Sequence, residues 1–367
     1  MKKKRLWGIL AVAAVWLGLT VFTWFHSPQS LSLSERRPLA QFPALTPEAV
    51  ASGDFMEDFE SYSLDQFPAR DFFRQIKSWV HYYALGQKDN NGIYMEKGYA
   101  AKLEYPLNQT SVEHALEKFT GIYETWLKGT DSKIFFSIIP DKSYYLAREK
   151  GYPAMDYEQL FAMVEAGAPW AQQIRLTDCL SAECYYRTDT HWRQERLLPA
   201  AQRLCSGLGV TIPRAEDFRS VTLERPFYGV YYGQAMLPMT PDEMILLESD
   251  ATRNSSVFHL ETVKNAAVYD KTKLSSNDLY DVFLSGPGAL QVIENPDART
   301  DRELILFRDS YGSSMAPLLL QGYRKVTLVD IRYISPQVLG QFVTFQGQDV
   351  LFLYSTLVLN NSATLRG

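Results

Sequence analysis

The stretch from Leu304 to Asp330, LILFRDSYGSSMAPLLLQGYRKVTLVD, decides the fold. Leu304-Ile305-Leu306-Phe307 is a short apolar run of the kind that forms a strand buried on both faces, and it ends in the turn-forming group Arg308-Asp309-Ser310-Tyr311-Gly312. Beyond it, a helix is predicted over Ser314 to Gln321 and a strand over Val326 to Asp330. A second helix then reads from Pro336 to Phe342 and a further strand from Val350 to Tyr354. Strand and helix alternating at these intervals imply right-handed βαβ units. The C-terminal third is therefore half of a doubly wound α/β sheet.

Upstream, Ile134-Phe135-Phe136-Ser137-Ile138-Ile139 reads as another central strand. The region of about 218–295 is rich in turn residues, as in Arg225-Pro226-Phe227-Tyr228-Gly229, and reads as an irregular insertion with small strands at Met244 to Leu247 and Ser256 to Leu260. Gly53 to Tyr83 has a helical period, with Phe55, Phe59, Tyr62, Phe72, Ile76, Trp79, Val80 and Tyr83 at threes and fours, and Pro68 divides it in two. These aromatic residues are expected to be core. Between Ser27 and Pro43 the prolines favour an extended segment lying over a surface.

At the N-terminus, Lys2-Lys3-Lys4-Arg5 precedes an almost unbroken apolar run from Leu6 to Phe25. That is the length of a bilayer-spanning helix. Phe22, Thr23, Trp24, Phe25 and His26 offer no small-residue cleavage site, so residues 1–30 are read as a basic cytoplasmic tail and an uncleaved signal-anchor. Positive charge before the span places everything after Phe25 outside the cytoplasm, with Trp24 and His26 near the outer interface. Residues 31–367 then form one extracytoplasmic domain. The 367-residue chain is 46% hydrophobic and 22% charged, enough for a full core. Its net charge of −5 becomes about −9 once the four basic residues of the tail are set aside, which argues against nucleic acid as a partner. Cys179, Cys184 and Cys205 allow one disulfide or three buried thiols. No cluster of metal ligands and no glycine-rich phosphate loop stands out, so neither metal nor cofactor is expected.

Two islands carry candidate chemistry. Ser310 lies between a predicted strand and a predicted helix, at the end of an open α/β sheet where ligands bind. The Tyr311 and Gly312 N–H groups are the expected oxyanion donors, and the helix end favours developing negative charge. The other reading is that Asp309-Ser310 only caps the helix. In Thr188-Asp189-Thr190-His191-Trp192, the acid and the imidazole are two residues apart and share one side of an extended chain, so Asp189 can accept from Nδ1 and leave Nε2 facing a hydroxyl. Trp192 would brace the imidazole. Arg332 and Lys142, each after a predicted strand, are candidates for the substrate rim, although Arg332 pairs more simply with Asp330 or Asp309.

Asp189-Thr190-His191-Trp192 resembles the signature of the DHHW family, which is similar to the alginate O-acetylation proteins AlgX and AlgJ. Further agreeing stretches run in order: Ser34-Glu35-Arg36-Arg37-Pro38-Leu39, Asp65-Gln66-Phe67-Pro68-Ala69-Arg70, Pro140-Asp141-Lys142, Tyr185-Tyr186-Arg187-Thr188, Asp309-Ser310-Tyr311-Gly312 and Val329-Asp330-Ile331-Arg332-Tyr333. The resemblance implies a three-layer, SGNH-hydrolase-like (flavodoxin-like) domain with a mostly parallel sheet. It also implies Ser310 as nucleophile, His191 as base and Asp189 as orienting acid. The implied activity is O-acetyl transfer to a cell-envelope or exported polysaccharide, with a membrane-bound O-acyltransferase as partner. A carbohydrate esterase with the same triad and a non-catalytic glycan-binding scaffold are the alternatives. Thr190 departs from the family's first His, and Arg308 stands where SGNH hydrolases have Gly before Asp-Ser.

Overall fold

The computed structural model describes residues 2–25, 27–32 and 34–366. His26 lies outside the described residues, as does the side chain of Trp24. The chain divides into two compact units, one of Met1–Asn91 with Tyr232–Met239, the other of Gly92–Tyr231 with Thr240–Gly367.

The larger unit is built on an eight-stranded sheet. In chain order its strands are β1 (Lys133–Ile139), β2 (Gln172–Gln173), β3 (Ser256–His259), β4 (Lys264–Ala267), β5 (Leu290–Glu294), β6 (Glu303–Arg308), β7 (Lys325–Val329) and β8 (Asp349–Ser355). They lie side by side as β4-β3-β5-β7-β6-β8-β1-β2. Pairing is parallel from β7 through β6, β8 and β1 to β2, and antiparallel from β7 through β5 and β3 to β4. Part of the stretch read as an irregular insertion, 218–295, is thus woven into the sheet as its antiparallel edge. Of these, β3 is the small strand expected over Ser256 to Leu260, whereas β4 and β5 are only four and five residues long and mix buried, half-buried and exposed positions, too short a signal to separate from loop.

The alternation of strand side chains divides the core in two. Leu304 and Leu306 join Leu204, Met315 and Leu319 on one face. Ile305 and Phe307 join Phe119, Leu160 and Phe352 on the other, where the Phe307 and Phe352 rings stack at 4.6 Å. The helices Leu198–Leu208 and Gly312–Leu319 supply the first layer, and Gln109–Ile122 and Tyr157–Gly167 the second. This is the expected three-layer α/β fold. One expected helix, Pro336 to Phe342, is instead a 3-10 helix over Pro336–Gln341. Gly340 packs so tightly on the Trp126 ring that an added Cβ would stand 2.3 Å from it, and the segment follows that contact.

The smaller unit holds α1 (Lys2–Phe25), α2 (Asp54–Asp65) and α3 (Arg70–Trp79), with the break between the last two at Pro68 as expected. Among the described residues α1 is the one helix long and apolar enough to cross a membrane. The expectation that the aromatic residues here are core fails: Phe55, Phe59 and Tyr62 of α2 are only half-buried, and the departure is largest in α3 and the π-helical turn that follows it. Phe72, Phe73, Ile76, Trp79 and Tyr83 are 43–59% exposed, whereas Arg70 and Arg74 turn inward to Glu35 at 2.7 and 3.1 Å. The charges claim the inner face, so the rings take the outer one.

Candidate active site

Ser310 lies two residues beyond β6, at the carboxyl end of the central parallel strands. Asp309 fixes this turn by spending both carboxylate oxygens on backbone: Oδ1 accepts from the Tyr311 N–H at 3.0 Å and Oδ2 from the Ser355 N–H at 2.8 Å, tying β6 to the end of β8. The Gly312 N–H donates to the Asp309 carbonyl at 3.1 Å. Both expected oxyanion donors, Tyr311 and Gly312, are therefore already engaged. The Ser310 N–H has no acceptor among the described residues.

Gly312 has a different role from the one expected. A Cβ there would meet the Arg308 side chain at 2.7 Å, so the missing side chain makes room for Arg308. Arg308 is 1% exposed and donates to Gln291 Oε1 at 2.6 Å and to the Asp309 carbonyl at 3.3 Å, with Asp330 3.5 Å away. Burial lowers the pKa of this guanidinium, with Asp330 pulling the other way. Arg308 underpins the turn from beneath.

The second island is a tight loop, not an extended strand. Tyr185 and Trp192 pair across its base, and the Tyr186 N–H donates to the His191 carbonyl. Three groups at its tip are held by one carboxylate: the Arg187 N–H donates to Asp242 Oδ1 at 2.8 Å, and the Thr188 N–H and hydroxyl donate to Oδ2 at 2.8 and 2.6 Å. From a neighbouring loop the Gly229 N–H donates to the Thr188 hydroxyl at 2.9 Å and the Val230 N–H to Asp189 Oδ2 at 2.8 Å. This fully buried carboxylate accepts from the His191 backbone at 3.0 Å and, through the same Oδ1, from the ring Nδ1 at 2.6 Å. A proton on Nδ1 leaves Nε2 as an acceptor, and Nε2 lies 2.8 Å from Ser310 Oγ. Asp189, His191 and Ser310 thus stand in one hydrogen-bonded line.

Tyr280 stacks on the His191 ring at 3.9 Å and 11°, and its hydroxyl meets Ser314 Oγ at 2.8 Å. Trp192 donates to the same Ser314 Oγ at 2.8 Å and to the Tyr311 carbonyl at 3.1 Å. It is wholly buried, so it braces the loop and offers no surface to a ligand. Thr190, in place of the family's first His, accepts from the Tyr231 hydroxyl at 3.1 Å, while its carbonyl accepts from the Tyr311 hydroxyl at 2.7 Å. Asp242, Gly229, Val230 and Tyr280 were not foreseen. Their signal lies 38 to 89 positions from His191, beyond the reach of local spacing.

The two rim candidates are otherwise occupied. Arg332 forms a two-point pair with Asp330, Nε at 2.9 Å and Nη2 at 2.6 Å, the simpler of its two readings. Lys142 is 2% exposed and donates to the carbonyls of Ala100, Tyr186 and Arg187 at 2.5, 2.7 and 3.4 Å, fastening the segment that leads into the loop. Burial lowers its pKa to about 7 against the upward pull of Asp189, Asp242 and Asp141. Cys179, Cys184 and Cys205 are all free thiols, and among the described residues no group of three or more His, Cys, Asp and Glu could hold a metal ion.

The family model described as DHHW protein matches residues 176–329, which include both islands. Among solved structures, a DHHW family protein from Eubacterium siraeum is 20% identical over 75% of this chain and 95% of its own, with a TM-score of 0.58. Bacillus cereus PatB1 is 14% identical over 73% of this chain and 96% of its own, with a TM-score of 0.59. The O-acetyltransferase domain of Pseudomonas putida AlgJ, 13% identical over 73% and 92%, stands at 0.44. No curated protein matches. The resemblance to DHHW proteins holds in sequence and in fold: this is a mixed α/β protein built on a large, mostly parallel sheet.

Proposed function

We propose that the protein is a membrane-anchored, extracytoplasmic O-acyltransferase that acetylates a cell-envelope or exported polysaccharide through an acyl-serine intermediate. The observation that carries this reading is the line from Asp189 through His191 to Ser310, at 2.6 and 2.8 Å, at the end of a parallel sheet. The likeness to alginate O-acetylation proteins supports the choice of acyl group and acceptor. The apolar α1 supports the anchor.

In this reading Ser310 Oγ attacks the donor's acyl carbonyl while its proton passes to His191 Nε2. Asp189 holds the ring in the required tautomer and stabilises the imidazolium. The Ser310 N–H stabilises the oxyanion, and the imidazolium returns its proton to the departing group. A sugar hydroxyl then gives its proton to Nε2 and attacks the acyl-serine. The ester passes to the sugar and the proton returns to Ser310. Water in place of the sugar would make the protein an esterase.

The test is to give full-length protein an activated acetyl ester and candidate envelope oligosaccharides, then to seek acetylated sugar by mass spectrometry. Sugar ester formed by wild type and lost in Ser310→Ala is expected. Release of free acetate alone with every acceptor would replace transfer with hydrolysis.

A further inference from the structure

The helix α3 is amphipathic the wrong way round for a water-exposed protein surface. Arg70 and Arg74 face the unit's interior, with side chains 19% and 16% exposed against Glu35, and Ser78 is wholly buried. Phe72, Phe73, Ile76 and Trp79 face outward, and Tyr83 continues the row. Apolar rings on the outside of a helix whose charges are satisfied inside require a non-aqueous covering.

The chain states where that covering is. Gln29, four residues after the end of α1, is tied at both backbone groups to Gln66: its N–H donates to Gln66 Oε1 and its carbonyl accepts from Nε2, each at 2.9 Å. Four extended residues reach about 14 Å at most, so the turn that starts α3 stays close to the point where the apolar helix ends. The rings of Trp16 and Phe67 lie 6.5 Å apart, and Trp16 is about 10 Å inside the outer end of the apolar window Leu6–Thr23 at the rise of an α-helix. Phe67 is in turn 5.4 Å from Phe73. The exposed residues are mainly Phe, Trp and Tyr, the types that settle at the boundary between headgroups and acyl chains. A cavity of about 750 Å³ opens at the same place, lined by Phe22, Phe67 and Phe72 on its apolar side and by Asp65 and Arg70 on its polar side.

We propose that the outer face of α3 and the turn at Phe67 lie in the outer interfacial layer of the lipid bilayer, a second membrane contact beside α1. This rests on the reading of α1 as the anchor. The arginine pairs keep α3 rigid from within while its rings take lipid from without.

Full-length protein, wild type and Trp79→Phe, is reconstituted in phosphatidylethanolamine and phosphatidylglycerol vesicles, plain or brominated near the carbonyl end of the acyl chains. The difference between the two proteins isolates the Trp79 emission, and the remaining emission includes Trp7, Trp16 and Trp24 of α1. The expected result is loss of most of the Trp79 intensity in brominated vesicles. Trp79 emission that is red-shifted and quenched by iodide would show a water-exposed helix and overturn the proposal. Blue-shifted emission untouched by bromine would show a protein covering, a second copy or a membrane partner, and would overturn it too. If the remaining emission is also untouched by bromolipid, the anchor reading itself has failed; if only Trp79 is untouched, the anchor stands and this inference alone is lost.

Discussion

Arg308 and Gly312 explain each other at the scale of single residues. An arginine before Asp309-Ser310 fits only because Gly312, one helical turn on, has no Cβ to meet its stem, and the arginine then anchors the turn to Gln291 and Asp330. Gly312→Ala is therefore expected to lower activity by an order of magnitude or more in protein whose circular dichroism is unchanged, because Arg308 must move and the Ser310 turn with it. Asp189→Asn should cost roughly 10,000-fold in turnover, the loss seen when a triad imidazole is held in the wrong tautomer. Lys142 allows a pH test. Its folded-state pKa of about 7 lies below its ordinary 10.5, so between these values the unfolded chain keeps a proton that the folded chain has released. Stability contributed at this residue thus rises with pH across that window, by at most about 1.4 kcal/mol per pH unit. The stability of Lys142→Met relative to wild type in urea denaturation should accordingly fall from pH 7 to pH 10; a difference independent of pH would refute the assignment.

At the scale of elements, the loop carrying Asp189 and His191 is shaped by partners far along the chain. Asp242 gathers two backbone N–H groups and a hydroxyl, and its replacement by Ala leaves both N–H groups without their acceptor and the hydroxyl with only the Phe227 carbonyl at 3.4 Å, at an expected loss of about 2–4 kcal/mol in denaturant titration. Gly229 passes so close to Asp189 that an added Cβ would stand 2.2 Å from the Asp189 Cβ. Gly229→Ala should push the two loops apart, withdraw the Val230 N–H from Asp189 and lower turnover more than it lowers the melting temperature. These dependencies show why the site was only partly legible. The spacing Asp189-x-His191 marks which groups can meet, but an extended chain was the wrong vehicle, and the clamps that bend it lie in a stretch with no periodic signal. The Ser310 turn was legible as strand-turn-helix, whereas the engagement of the Tyr311 and Gly312 N–H groups depends on Asp309 side-chain geometry that spacing does not carry.

At the scale of the whole molecule, the central parallel strands were legible because burial on both faces demands unbroken apolar runs such as Leu304 to Phe307. The antiparallel edge was legible only at Ser256 to Leu260, since Lys264–Ala267 and Leu290–Glu294 are four and five residues long and mix buried with exposed positions, as loops do. The outward rings of α3 were misread for a physical reason: periodicity gives the stripe, and only the inward arginines determine which way it faces. If residues 31–367 lie outside the cytoplasm, alkaline phosphatase fused after Gly367 should be active in cells and a cytoplasm-dependent fluorescent reporter at the same place dark. The claim on which all of this turns is that Ser310 carries the acyl group, and the most direct measurement is the intact mass and peptide map of protein quenched during reaction with an activated acetyl ester. One acetyl group on the peptide containing Ser310, absent in Ser310→Ala and in His191→Ala, is predicted; no adduct, or the same adduct in Ser310→Ala, would contradict it.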